Sequence, residues 1–508
     1  MTDSYDYVVV GGGTAGCVIA ARLSEPEGSR VLLLEAGTAQ TSADMTSPPA
    51  WPALLRTSAN WGDTTVRQRA SGTTVPLARG RTLGGGSAIN AMNFLRGHRS
   101  SYDAWAEAGL EGWGFDGLLP YFKRSENLSG RDPALRGVGG PLTVGLPESP
   151  NPVVAAMLDA AAETGHRRAT DIGGGAEEGF GWSDLNVVDG RRQSAADAYL
   201  APVLHRPDLT VVTGTQVLRL HIGGGRCSGV EYGARDGTVS LVRCSGEVVL
   251  TAGAIGSAQL LMLSGVGPEG HLRRTGIDVV VDLPGVGENL HDHPIANLIY
   301  RAARPVPEGA NNHGEAYGLV RSGPGLDGPD LQVLFVDAAG HIPVPDAPAA
   351  PAAGQGYTIS VSSIRPHSRG SVRLASADPD VLPLVDPDYY GDERDLAAVV
   401  RGLHLAREIG QADALAEWRG HEVLPGPEVT DDAGLRDHAL RTLCSYMHPV
   451  GTCRMGHDDG SVVDPALRVH GVDGLRVADA SVIPSIPSAN TNATVYAIAE
   501  RAAELLRS

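Results

Sequence analysis

Four glycines, at positions 11, 12, 13 and 16, follow directly on the apolar run Tyr7 to Val10, and a carboxylate, Glu35, comes nineteen residues after the last of them. Glycines at this spacing can bring backbone N–H groups up to a pyrophosphate, and an acid at this distance can accept hydrogen bonds from a ribose hydroxyl. Gly11 then permits the turn, Gly13 the approach to phosphate and Gly16 close packing of the next helix on the strand. An acid at Glu35 disfavours a 2′-phosphate, leaving NAD or FAD. A second run, Gly84, Gly85 and Gly86, with Ser87 and Asn90 opening a helix, reads as backbone pressed against a ligand, the alternative being an ordinary flexible loop. His448, before a proline in CSYMHPVGTCRMG, is an imidazole free to face a cavity and move a proton near neutral pH. Taken alone, it fits a buried histidine with a partner better. Asn490 and Asn492 precede a helix and taken alone read as caps. His291, Asp292 and His293 invite a metal, but two histidines bracketing an acid on a short loop, with no third ligand cluster nearby, argue against one.

These residues need elements to hold them. Tyr7 to Val10 has the length of a buried parallel strand; Ala15, Val18, Ile19 and Leu23 recur at helical spacing; Val31 to Leu34 is a second buried strand ending on Glu35. The stretch EVVLTAGAIGSAQLLMLSGVG, 247–267, repeats strand, small-residue turn and helix, so a third strand ending at Thr251, Ala252 and Gly253 joins the same parallel sheet. A strand over 474–480 ends on Asp479. Helices are expected over 151–164, 191–204 and 393–409, and strands over 209–222, 230–232 and 241–250, the latter as a small meander. Strands at 358–363 and 370–374 should belong to a separate sheet. Trp105, Trp113, Leu118, Leu119, Tyr121 and Phe122 read as core. The stretch 341–356, rich in Pro and Ala, reads as a solvated loop in preference to a mobile lid.

The whole chain bounds the function. Its 508 residues exceed one ordinary core, so two domains are expected, or three. A net charge of −18 resists nucleic acid and anionic membranes. Five cysteines without a CxxC pair indicate neither a disulfide framework nor zinc and point to a reducing compartment. The first strand starts within a few residues of Met1, leaving no room for a signal peptide, and no run of some 20 apolar residues occurs. A cytoplasmic protein is the expectation.

Five ordered stretches, 5–37, 80–98, 253–267, 285–294 and 446–500, resemble the glucose-methanol-choline (GMC) family of FAD-dependent oxidoreductases, and most closely its choline dehydrogenase-like, alcohol oxidase branch. The resemblance implies an α/β fold: a Rossmann-like FAD-binding domain, discontinuous in sequence (1–150, 200–294 and 441–508), and a substrate domain of antiparallel sheet and helices (151–199 and 295–440). It implies that His448 lies on the flavin N5 side with Asn490 as its partner from the loop before the last helix, and that Asn492 supports the flavin N1–C2 carbonyl edge. It further implies that Glu35 holds the adenosine ribose, that Gly85, Gly86, Ser87 and Asn90 line the flavin and its phosphates, and that Val217 and Asp479 add contacts. Thr14, Ala15, Ala36, Ala252, Ala480 and Thr494 complete the cofactor set. Some members attach FAD through a histidine where this chain has Ile89, so FAD should be noncovalent. Ala258 stands where Pro or Ser is usual, a change expected at a helix start. The implied activity is oxidation of an alcohol to an aldehyde or ketone, with a base removing the hydroxyl proton and a hydride passing to flavin N5, and with O2 or another electron acceptor as second partner. Choline is doubtful as substrate because the substrate domain offers few aromatics beyond Tyr300, Tyr317 and Tyr357. A lyase on the same scaffold and a non-catalytic flavin-binding protein are the alternatives.

Overall fold

In the computed structural model, which describes residues 4–234, 237–340 and 350–508, the chain folds around two seven-stranded sheets. The first is built on β1 (Ser4–Val10), α1 (Thr14–Leu23) and β2 (Val31–Glu35). Every residue of β2 is buried, as a strand covered on both faces requires. β1 lies between β2 and the strand Val239–Leu250, parallel to both, and Leu209–Thr213 and Leu475–Val477 extend the parallel set at either side. Val239–Leu250 is long enough to serve twice. Its end lies beside β1, while its start pairs antiparallel with Arg226–Ala234, which pairs in turn with Thr215–Gly223.

The second sheet is antiparallel, in the order Arg419–Leu424, Pro294–Ala302, Gly356–Ser363, Leu331–Val336, Ala316–Val320, Gly179–Trp182. Helices Pro152–Glu163 and Glu393–Gln411 bury their apolar faces in its core with Val333, Phe335 and Ile359. The Asn151 side chain caps the first of these, accepting from Val153 N at 3.2 Å. Cys444–Ser445, just before His448, pairs with Pro294 and Ile295 of this sheet, although the bulk of residues 441–508 packs with the first core.

Some local expectations change. Residues 191–204 are not one helix: Arg191–Arg192 is a short strand, followed by a π-turn at Ala196–Leu200 and a 3-10 turn at Ala201–Val203. The stretch 209–222 is two strands broken at Gly214, where the chain leaves the parallel sheet for the meander. Gly356–Ser363 belongs to the large second sheet, whereas Ser371–Arg373 forms a two-stranded sheet with Leu384–Asp386. Ala258 is fully buried inside the helix Gly253–Leu263, not at its start. The strand after Gly474 ends at Val477, and Asp479 caps the next turn, accepting from Ser481 N at 2.8 Å. Most of 341–356, the stretch read as a loop in preference to a lid, lies outside the described residues. Trp105, Trp113, Leu118 and Phe122 are core, and Leu119 and Tyr121 pack at its margin.

Candidate active site

One cavity of about 690 Å3 runs from Glu35 to His448. Its floor is the end of the parallel sheet. Gly11 takes φ +105°, and a Cβ there would stand 2.7 Å from the Thr251 carbonyl oxygen, so the turn needs glycine. Gly13 begins α1 with no side chain bonded over it, and Thr14 and Ala15 line the cavity, which leaves first-turn N–H groups to meet an anion. The second glycine run lies against the first. Gly85, at φ +53°, faces Gly13 so closely that a Cβ would come within 2.6 Å of its Cα, while nothing stands within 4 Å of the Cβ position of Gly86. The expected helix behind this run is only a 3-10 turn, Gly85–Ala88.

The polar side chains are placed for a dinucleotide. Glu35 accepts from Gly12 N at 2.7 Å and Gly37 N at 2.6 Å, using one acceptor site on each oxygen. Burial pushes its pKa up to about 7 against those two bonds. Asp479, buried at the opposite wall, accepts from Gly253 N at 2.8 Å and Ser257 Oγ at 2.6 Å; burial raises its pKa. Asn492 Oδ1 accepts from Thr14 Oγ1 at 3.1 Å, and its Nδ2 is buried with no partner among the described residues. An orphan donor beside two glycine runs and an uncapped helix start is the donor set that a flavin carbonyl and a pyrophosphate would satisfy, so the site fits FAD. Ala36, Asn90, Val217, Ala252 and Ala480 also line the cavity.

Gly16 does the packing expected of it but does not line the cavity, and two expected contacts, Ser87 and Thr494, lie elsewhere. Gly16 stands behind the turn, where a Cβ would collide with the Gly11 carbonyl, so it serves helix packing alone. The Ser87 hydroxyl is fully buried, donating to Gly84 O at 2.6 Å and accepting from Ala195 N at 2.9 Å; it staples its own loop. The Thr494 hydroxyl is bonded to Tyr102 OH at 2.8 Å inside the core.

At the other end stand His448 and Asn490. Asn490 Nδ2 is 3.3 Å from His448 Nε2, and Asn490 Oδ1 accepts from Gln332 Nε2 at 3.3 Å. Asn490 is therefore not a cap; Thr491 occupies the N-cap of the last helix, Asn492–Arg507. Two antiparallel loops carry His448. Tyr446 N bonds His293 O at 2.9 Å, and His291 and Val450 exchange two backbone bonds of 3.0 Å. Across this ladder, His293 Nδ1 meets His448 Nδ1 at 3.0 Å. Asp292 ties the loops together, accepting from His293 N at 2.8 Å, His448 N at 2.7 Å, Ser445 Oγ at 2.5 Å and the Tyr389 hydroxyl. Burial raises its pKa, and those bonds oppose the rise. The Tyr446 ring lies 4.5 Å from the His448 ring, tilted by 34°.

The His-Asp-His stretch, for which the sequence argued against a metal without offering another role, is thus the scaffold of the imidazole pair. Its signal lay in the sequence, but nothing linear joins residue 293 to residue 448. Gln332 and Tyr446 escape sequence reasoning for the same reason. Burial drives the pKa of His448 down to about 3, and burial followed by the nearby His448 drives His293 well below the usual histidine value. Both are neutral imidazoles. The aromatic inventory also changes. Tyr300 and Tyr357 stack on each other at 5.3 Å in the second core, whereas Trp51, Trp61, Tyr317 and Tyr446 line the cavity, so the aromatics come mostly from outside the second sheet.

The comparisons with known proteins decide the family. The N- and C-terminal patterns of the GMC oxidoreductase family match residues 5–295 and 366–499. The chain belongs to the GMC oxidoreductases. It is 38% identical to mitochondrial choline dehydrogenase of Homo sapiens, over 99% of this chain and 90% of that one. It is 37% identical to oxygen-dependent choline dehydrogenase of Vibrio vulnificus, over 100% and 95%. Among solved structures it superposes on pyridoxine 4-oxidase from Mesorbium loti with a TM-score of 0.94 at 39% identity, covering 99% of each chain. It superposes on formate oxidase of Aspergillus oryzae with a TM-score of 0.92 at 29% identity, covering 100% of this chain and 99% of that one. This GMC oxidoreductase is accordingly an FAD-binding oxidoreductase with a Rossmann-like nucleotide fold.

Proposed function

We propose that the enzyme oxidises an alcohol to an aldehyde or ketone, with His448 as the base and Asn490 as the residue that orients the substrate oxygen. The observation that carries this is the 3.3 Å approach of Asn490 Nδ2 to His448 Nε2 on the wall of the cavity that the two glycine runs also line. An alcohol oxygen placed within reach of both atoms from the cavity side can give its proton to Nε2 while the amide N–H holds the oxygen. FAD, when bound, supplies the hydride acceptor. Low-dielectric walls, Tyr317, Leu334 and Val336 among them, exclude water from the proton transfer.

The lining residues named above would hold FAD, with Glu35 and its remaining acceptor sites toward the ribose and Asn492 Nδ2 toward a flavin carbonyl. Ile89, which carries no nucleophile, supports noncovalent attachment. The two sheets support a division into 1–150, 200–294 and 441–508 as the FAD domain and 151–199 and 295–440 as the substrate domain, apart from Cys444–Ser445, which pairs with the second sheet, and Val372, Leu374 and Val385, which pack in the first core. The five buried cysteines support a reducing, cytoplasmic location. O2 or another small acceptor would take the electrons. Among the described residues no helix is long and apolar enough to cross a membrane.

The test is anaerobic mixing of the yellow protein with aliphatic, benzylic, furanic, sugar and amino alcohols. Bleaching of the flavin band by one class is expected, while dithionite alone bleaching it would oppose the reading. Acid precipitation should release all FAD into the supernatant if attachment is noncovalent.

A further inference from the structure

A histidine can act as base at Nε2 only if its proton sits on Nδ1. In His448 the Nδ1 atom has one hydrogen-bond partner among the described residues, Nδ1 of His293 at 3.0 Å, and the rings meet edge-on, at 5.2 Å and 90°. Both rings are buried and neutral, so the line between the two nitrogens holds a single proton, donated by one ring and accepted by the other. Asn490 decides which. Its Oδ1 accepts from Gln332, so its amide N–H faces His448 Nε2. Were His293 the donor, His448 would carry its proton on Nε2 and set an N–H against an N–H. With His448 as donor, every contact pairs a hydrogen with a lone pair.

We propose that His293 is a positioning residue that holds His448 in the Nδ1–H tautomer and so keeps the Nε2 lone pair on the substrate side. The inference rests on the reading of His448 as the base. In a serine-protease type of triad a carboxylate fills this place and also stabilises the imidazolium. Here the nearby carboxylate, Asp292, is engaged with two backbone N–H groups and two hydroxyls, and a neutral imidazole takes the position instead. The pair therefore fixes the tautomer without placing a negative charge against Nδ1. When the hydroxyl proton arrives at Nε2, His448 holds two protons, and the Nδ1 proton remains shared with His293 until Nε2 is deprotonated again.

The test uses the FAD-loaded enzyme labelled with 15N-histidine, in wild type and in His293→Asn and His293→Ala. Asparagine places an oxygen near the position of Nδ1; alanine places nothing there. The ring nitrogen shifts of His448, assigned by their loss in His448→Gln, should show a protonated Nδ1 and a bare Nε2 in wild type and in His293→Asn. In His293→Ala they should show Nε2–H gaining population. With an alcohol that bleaches the wild-type flavin, kcat should fall about 100-fold in His293→Ala with KM nearly unchanged, and His293→Asn should restore most of it. A wild-type His448 protonated on Nε2, or a folded His293→Ala enzyme with unchanged tautomer and kcat, would overturn the proposal. Should His293→Ala not fold, the wild-type shifts and the His293→Asn enzyme decide between the two tautomers. Full turnover in His448→Gln would instead remove the base assignment, an outcome separate from the tautomer that the shifts report.

Discussion

His448 and Asn490 are ordinary residue types whose chemistry is made by their surroundings. Replacing His448 with alanine should lower kcat about 100- to 10,000-fold while FAD binding survives, because Asn492, Glu35 and the glycine runs are untouched. Rapid-reaction flavin reduction and the visible spectrum of the variant check both halves. The pH profile carries a sharper expectation. Burial holds the His448 pKa down to about 3, so the base is unprotonated above that value and loses its lone pair only as pH falls through it. The rate of flavin reduction should therefore show no acid limb from His448 between pH 8 and 5; an acid limb near the ordinary histidine value of about 6.5 would contradict this. At this scale the family resemblance pointed to His448 and Asn490, the proposed base and its amide partner, and the structure brings the two side chains to 3.3 Å. The sequence could not supply His293, Asp292 or Gln332, whose roles exist only because the chain returns to the same place from positions 292, 332 and 445.

The segment Ala43–Thr46 through Trp51–Leu54 covers part of the cavity and is tied down from three directions. Arg192 Nε donates to Met45 O at 2.8 Å, Trp51 Nε1 donates to Asn312 O at 2.9 Å, and His313 Nε2 lies 3.1 Å from Pro49 O. His313 Nδ1 meets Asp337 Oδ1 at 2.7 Å. Both of its partners accept only, so the geometry suits the doubly protonated ring. Burial alone would lower this pKa, but the bond to Asp337 and that carboxylate's charge, with Glu315 adding, raise it. A raised native pKa means that the stabilisation is complete below the unfolded value of about 6.5 and is lost as pH rises through the native one. Amide exchange over residues 45–55, corrected for the intrinsic pH dependence, should accelerate across that range in wild type. In His313→Gln it should already be fast at low pH and show no step. From sequence, this segment is an uninformative run of Ser, Thr, Pro and Ala, since its anchors lie more than 140 residues away.

The whole molecule is joined by a buried ion network as well as by its cores. Glu126, fully buried, accepts from Arg96 Nη2 at 2.5 Å, Arg136 Nε at 3.1 Å and Gly137 N at 2.7 Å. Arg136 reaches on to Asp171 at 2.6 Å and Asp184 at 2.9 Å, which flank the edge strand Gly179–Trp182 on either side. Removing Glu126 leaves the buried Arg96 guanidinium without its carboxylate and takes from Arg136 one of three. Glu126→Ala should therefore cost about 3–5 kcal/mol, read as a lower urea midpoint at unchanged m.

What the sequence alone determined is the local part of this protein. Glycines at 11, 13 and 85, an acid ending β2 and unbroken aliphatic runs dictate a nucleotide-binding strand–turn–helix, because backbone freedom and burial act over a few residues. Tertiary structure decided the rest. It set Ser87 and Thr494 into the core instead of the cavity, made the 291–293 loop the partner of His448, and brought Trp51 and Tyr446 to the cavity. The imidazole pair depends on antiparallel pairing between strands some 150 residues apart, as at Pro294 and Ser445, and no local preference encodes which distant strand will be the neighbour.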